Sequence, residues 1–120
     1  MEFSTVLRNA EFAAWAHGLT PSECPSAARQ ALEKVGLWSR RNSRARSLSG
    51  GMRQRLGIAC TIVHKPRVVL LDEPSVGLDP MQRIRLRELV EQIAVDSTII
   101  LSTHLIEDLS AMTSQILVLD

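Results

Sequence analysis

Aromatic side chains are nearly absent. They make up 3% of the 120 residues, so any core must be built from Leu, Ile, Val, Ala and Met. Lysine is scarce as well: Lys34 and Lys65 stand alone, and the other 12 of the 14 cationic residues are arginine. The two cysteines, Cys24 and Cys60, lie far apart and form no CxxC pair. They read as reduced apolar side chains rather than metal ligands or a redox couple. No sign of charge dominates: the net charge is +1, which by itself calls for neither nucleic acid nor a membrane. Long apolar runs are missing too. A run such as Val68-Val69-Leu70-Leu71 falls far short of the about 20 residues that span a bilayer. Glu2 and a mixed segment follow Met1, so no signal peptide is visible. These absences leave a soluble cytoplasmic chain, or one held at a membrane by a partner.

What is present is a chain with 45% hydrophobic residues, suited to a globular fold of one compact unit. Ser4 or Thr5 can cap a first helix with Val6, Leu7, Ala10, Ala13, Ala14 and Trp15 at helical spacing, ended by Gly18. Thr20-Pro21-Ser22 makes a turn, and a second helix runs to about Val35 with Ala27, Ala28, Ala31 and Leu32 on one face. Pro25 fits only in its first turn, and Gly36 stops it. The polar stretch from Ser39 to Ser47 reads as a loop. A third helix starts at Ser49, with Met52, Leu56, Ala59, Ile62 and Val63 together, and ends before Pro66.

Beyond Pro66 the pattern changes. Val68 to Leu71 is a continuous apolar run, as expected of a strand buried on both faces. A helix from about Pro80 to Val95 follows, then a β-branched strand at Thr98 to Leu101, a short helix at Leu105 to Met112 and a third strand at Ile116 to Leu119. Strand and helix in alternation imply an α/β fold with a parallel sheet. Two regions result: a helical part over residues 1–64 and part of an α/β sheet over 65–120.

Four segments carry candidate chemistry. Leu48-Ser49-Gly50-Gly51 places Ser49 at a helix N-cap and two glycines in the first turn. Glycines there are poor for helix propensity but admit close approach, and the N–H groups with the positive helix end suit an anion. A flexible loop–helix junction is the plainer reading. The run ending in Asp72-Glu73-Pro74 delivers two carboxylates to the carboxyl end of a strand, where open α/β sheets bind ligands. Asp72 suits Mg²⁺ held through water, and Glu73 suits activation of a water; a solvated acidic turn is the alternative. Ser75 to Asp79 precedes Pro80, and helix capping alone accounts for Asp79. Ser102-Thr103-His104 ends the second strand, and an imidazole there can bond a phosphate oxygen or serve structure alone.

In order and spacing these segments together resemble the ABC ATPase family. Leu48–Gly51 is similar to its signature, the strand ending in Asp72-Glu73 to Walker B, Ser75–Asp79 to the D-loop, and His104 to the switch histidine. Residues 1–47 are similar to the family's helical subdomain. The resemblance implies a partial P-loop NTPase (RecA-like) sheet joined to that subdomain, with ATP and Mg²⁺ as cofactors. By the same resemblance Leu48, Ser49, Gly50 and Gly51 face the γ-phosphate of ATP held by a second ABC ATPase subunit in a head-to-tail dimer. Asp72 binds Mg²⁺ through water, Glu73 is the catalytic base, His104 touches the γ-phosphate, and Asp79 links the two sites. It further implies a transmembrane permease subunit as partner, a place on the inner face of the cell membrane, and an export system of the bacterial multidrug or polymer type.

One part of the pattern is missing. No G-x-x-x-x-G-K-[ST] occurs, since neither Lys34 nor Lys65 follows a glycine, and no glutamine of the Q-loop kind precedes the first helix. The expectation is therefore a truncated or split ATPase that is inactive alone, or a partner supplying its signature to a complete subunit. Repair and chromosome ATPases of related type place long coiled coils before the signature, and residues 1–47 hold no sustained heptads. No nucleic-acid partner is expected. Arg40 to Arg46, with Arg53 and Arg55, lack interleaved aromatics and read as a solvated face, or as one beside anionic lipid or a permease loop.

Overall fold

The computed structural model describes residues 4–103. Helices α1 (Val6–Ala16), α2 (Cys24–Lys34) and α3 (Gly50–Ile62) are followed by strand β1 (Val68–Asp72), helix α4 (Pro80–Ala94) and strand β2 (Thr98–Ser102). The helix at Leu105 to Met112 and the strand at Ile116 to Leu119 lie outside the described residues, as does His104.

Local chemistry explains the boundaries. Thr5 is the cap of α1: its hydroxyl accepts from the N–H of Arg8 at 3.2 Å. Gly18 turns the chain with φ 97°. Helix α2 begins at Cys24 without a side-chain cap, and Pro25 occupies its first turn, where a missing N–H costs nothing. Gly36, at φ 75°, closes that helix. The stretch expected as a loop contains two single 3₁₀ turns, Trp38–Arg40 and Ala45–Ser47. Its backbone does the work of a second cap for α1: Ser43 and Arg41 carbonyls each accept at 2.9 Å from the N–H groups of Val6 and Leu7.

The core is one cluster. Val6, Ala10 and Ala14 of α1, Ala28 and Leu32 of α2, and Leu56, Ile58 and Ala59 of α3 are buried together with Val69 and Leu71 of β1 and Leu86, Leu89, Val90 and Ile93 of α4. Alanines at the helix contacts let α1 and α2 pack without aromatic filling, as the composition requires.

β1 and β2 pair in parallel with Val68 opposite Thr98 and Asp72 opposite Ser102, and α4 is the crossover between them. One expectation fails here. β1 is not buried on both faces: Val69 and Leu71 are buried, but Val68 is 53% and Leu70 69% exposed. Ile100 on β2 joins them at 57%. Side chains alternate across a strand, and the residues buried with β1 cover only one side of it.

Candidate functional site

Asp72 ends β1, and its Oδ1 accepts the hydroxyl of Ser102, the residue opposite it on β2. Glu73 extends the ladder one step further, donating its N–H to the Ser102 carbonyl at 2.8 Å. It then turns away with φ 47°, in the left-handed region that costs a non-glycine residue about 1 kcal/mol. The turn that follows is tight. Val76 N–H donates to the Glu73 carbonyl at 3.3 Å and Leu78 N–H to the Ser75 carbonyl at 3.2 Å, while Pro74 and Ser75 are buried. The carboxylates of residues 72 and 73 thus sit at the carboxyl edge of a parallel sheet.

The turn leads directly into α4. Asp79 is its N-cap, accepting from the Gln82 N–H at 2.8 Å, and the Gln82 side chain returns the bond by accepting from the Asp79 N–H at 3.2 Å. This reciprocal capping box satisfies two of the orphan donors of the first turn.

Helix α3 starts nearby. Ser49 caps it, accepting from the Met52 N–H at 3.3 Å, and Leu48 before it is buried. The two glycines that follow differ. A Cβ on Gly50 would meet nothing within 4 Å. A Cβ on Gly51 would stand 2.7 Å from Nε2 and 2.8 Å from Cδ of Gln82. Gly50 therefore leaves a gap open to an approaching molecule, whereas Gly51 makes room for the protein's own α4. Sequence reasoning gave both glycines the first role and missed Gln82. The signal was available: an Asp followed three residues later by Gln is the capping-box spacing.

Between the starts of α3 and α4 lies a cleft of about 150 Å³ lined by Ser49, Gly51, Gln54, Arg55, Gln82 and Arg85. Burial pushes the Arg55 guanidinium down from its ordinary pKa, and the charge of Arg85 adds to this. The structure thus joins Ser49–Gly51 to Asp79 through Gln82, and Asp72 to Ser102 across the strands. Among the described residues no group of three or more His, Cys, Asp or Glu side chains forms a metal cluster. Asp72 and the Ser102 hydroxyl are hard oxygen donors at the strand ends, of the kind that holds Mg²⁺ with water and phosphate making up the shell. No helix among the described residues is long and apolar enough to cross a membrane.

The ABC transporter family profile matches residues 2–76, more than half of the chain. The chain belongs to the ABC transporter family. It is 34% identical over 115 residues to the phospholipid-transporting ATPase ABCA3 of Rattus norvegicus, covering 96% of this chain and 7% of that protein. It is 35% identical to the linearmycin resistance ATP-binding protein LnrL of Bacillus subtilis, with 87% of this chain and 34% of LnrL aligned. Identity reaches 43% over 95 residues with the aliphatic sulfonates import ATP-binding protein SsuB 2 of Xanthomonas axonopodis, over 78% of this chain and 33% of that protein. A chain of an ABC transporter solved in an inward-facing conformation superposes with a TM-score of 0.84 at 28% identity, over 92% of this chain and 47% of the other. The chain thus spans about a third of the bacterial relatives' length and far less of the mammalian one. Its fold is part of the P-loop NTPase fold of the family's ATP-binding domains, with a parallel two-stranded piece of the sheet. The family match includes Leu48–Gly51 and Asp72-Glu73 and stops before Asp79 and His104.

Proposed function

We propose that this chain is the signature-bearing part of an ABC ATPase that drives transport, with residues 1–64 as its helical subdomain and 65–120 as the later half of its RecA-like core. The observation that supports it is the junction at the sheet's carboxyl edge, where the capped start of α3, open at Gly50, meets the turn that carries Asp72, Glu73 and Asp79. When bound, ATP with Mg²⁺ supplies the phosphoryl group that passes to water and the charge that must be neutralised. Toward it, the Ser49 hydroxyl and the Gly50 and Gly51 N–H groups donate to phosphate oxygens held by a second ATPase subunit packed head to tail. Asp72 holds the Mg²⁺ water shell. Glu73 orients the attacking water and accepts its proton. Asp79 joins the two sites across the dimer, and His104 contacts the γ-phosphate. A transmembrane permease subunit would hold the assembly to the inner face of the membrane. Export is the direction proposed, from the resemblance of the motifs as a whole.

Since G-x-x-x-x-G-K-[ST] occurs nowhere in the 120 residues, no backbone cradle for the β- and γ-phosphates is at hand, and the chain alone is expected to bind ATP weakly and not to turn it over. Steady-state ATPase assay of the purified chain tests this: turnover that disappears in Glu73→Gln would overturn it. The exposed gap at Gly50 also fits a chain that lends its signature to a complete subunit. Adding the chain to such a subunit and finding its ATPase rate unchanged would remove that reading.

A further inference from the structure

Lys34 and Lys65 are the two lysines of a chain whose other 12 cationic residues are arginine, and the fold brings both to one cavity. The cavity holds about 270 Å³ and lies where the ends of α2, α3 and α4 meet the linker into β1. Ala31, Ile62, Val63 and Ile93, all buried, form its apolar wall. Its charges come from Lys34 in the last turn of α2, Lys65 after α3 and Asp96 after α4. The Ser97 hydroxyl, another lining group, donates to the Pro66 carbonyl at 2.7 Å and so ties the end of α4 to the linker.

The fold makes no use of either ammonium. Both lysines are exposed, and the ion pair formed among the described residues joins Arg29 to Glu33 instead. Asp96 lines the same cavity and pairs with neither lysine. Lys65 also holds a disfavoured backbone. Its N–H closes α3 by donating to the Ile62 carbonyl at 2.9 Å, at φ 53°, where glycine is the favoured residue. The chain thus places an ammonium, rather than the residue that suits the turn, beside an apolar hollow. An apolar wall with a few placed polar groups is the make-up of a small-molecule site. We propose that this cavity binds a small organic carboxylate, its apolar body against Ala31, Ile62 and Ile93 and its charge paired with Lys34 and Lys65. Two ammoniums against one carboxylate leave an excess of one positive charge, which a monoanion matches. Inorganic phosphate would bring no apolar body to the wall. The cavity adjoins the linker before β1, whereas Asp72 and Glu73 stand past the strand's other end, roughly 15 Å away along its five residues. The site is therefore independent of ATP chemistry, and its ligand would hold the helical part to the sheet part.

The test titrates phenylacetate into the complete chain and follows backbone amide shifts by NMR, with neutral phenylacetamide as the comparison. Saturable shifts at Ala31, Ile62 and Ser97, much weaker with phenylacetamide, are the expected result. Lys34→Gln and Lys65→Gln should each weaken binding roughly fivefold, and together about twenty-fivefold. Lys65→Gly should weaken it as Lys65→Gln does while raising the thermal midpoint, because the turn is relieved. Ala27→Phe, at a half-buried lining position, fills the cavity and should abolish binding with both ammoniums in place. An absence of saturable shifts, equal shifts from phenylacetamide, undiminished binding in the double Gln variant, or binding that survives Ala27→Phe would each overturn the proposal. Should a variant fail to fold, the comparison of phenylacetate with phenylacetamide on the unaltered chain still decides.

Discussion

Ala10, Ala14, Ala28 and Leu32, on α1 and α2, have no exposed surface, whereas Val68, Leu70 and Ile100, on β1 and β2, are more than half exposed. The helical part closes on itself through small side chains at close range. The sheet part is closed on one side only. Yet the sheet part carries Asp72 and Glu73, and its turn supplies Asp79. Close packing and the two adjacent carboxylates are thus housed unevenly: the helices are the better buried, and the less protected strand edge holds Asp72 and Glu73. A well-packed interior feels every lost methylene, while an exposed apolar side chain contributes little where it stands.

The comparison can be broken most directly in the core. Leu32→Ala is expected to cost about 3 kcal/mol of unfolding free energy, because Leu32 is wholly buried among helices with little freedom to collapse. Leu70→Asn should stay within about 0.5 kcal/mol. Urea midpoints measured side by side decide it; a large cost at Leu70 would mean that the open face is covered in solution.

Caps sharpen the same contrast. Asp79→Ala removes both bonds of the capping box of α4 and is expected to cost about 1 to 2 kcal/mol. Thr5→Ala should cost about half that or less, since the backbone of Arg41 and Ser43 already serves the first N–H groups of α1. Thermal unfolding of the two variants checks the order.

Gly51→Ala should destabilise by about 1 kcal/mol, because the methyl displaces Gln82 from its bond to the Asp79 N–H. Gly50→Ala meets open space and should be neutral or stabilising by up to about 1 kcal/mol. In a double-mutant cycle Gly51→Ala and Gln82→Ala should be less than additive, and additivity would deny that they touch.

The smallest effect is a pH slope inside the helical part. His64 stacks on His17 with ring centroids 4.0 Å apart, and burial, then the charge of His17, lowers its pKa. The unfolded chain therefore binds this proton more readily than the folded one. The contribution is fully present above the unfolded histidine value of about 6.5 and is lost as pH falls from there through the lower folded value. His64→Phe should flatten the stability profile in that range.

Much of this arrangement is legible in the residues because it depends on local chemistry. Ser49, Asp79, Pro25, Gly18 and Gly36 mark helix ends by mechanisms that act within a few residues, and both strands begin where expected and run one residue further, to Asp72 and Ser102. What escaped is long-range. A uniform Val68–Leu71 run does not say which face finds a cover, so burial on both sides was the natural expectation. Gly51 looks like Gly50 until α4 is folded against it. The polar stretch before Ser49 gave no hint that its carbonyls would finish α1, because capping by distant backbone leaves no side-chain signature.

Glu73 shows one of these constraints from another side. Its backbone adopts a shape in which glycine would sit at lower energy, and replacing it with glycine should raise stability by up to about 1 kcal/mol. A chain optimised for folding alone would have glycine at this position. The sequence instead places a carboxylate where the conformational map disfavours it, which is what the water-activating role proposed for Glu73 would require of residue 73.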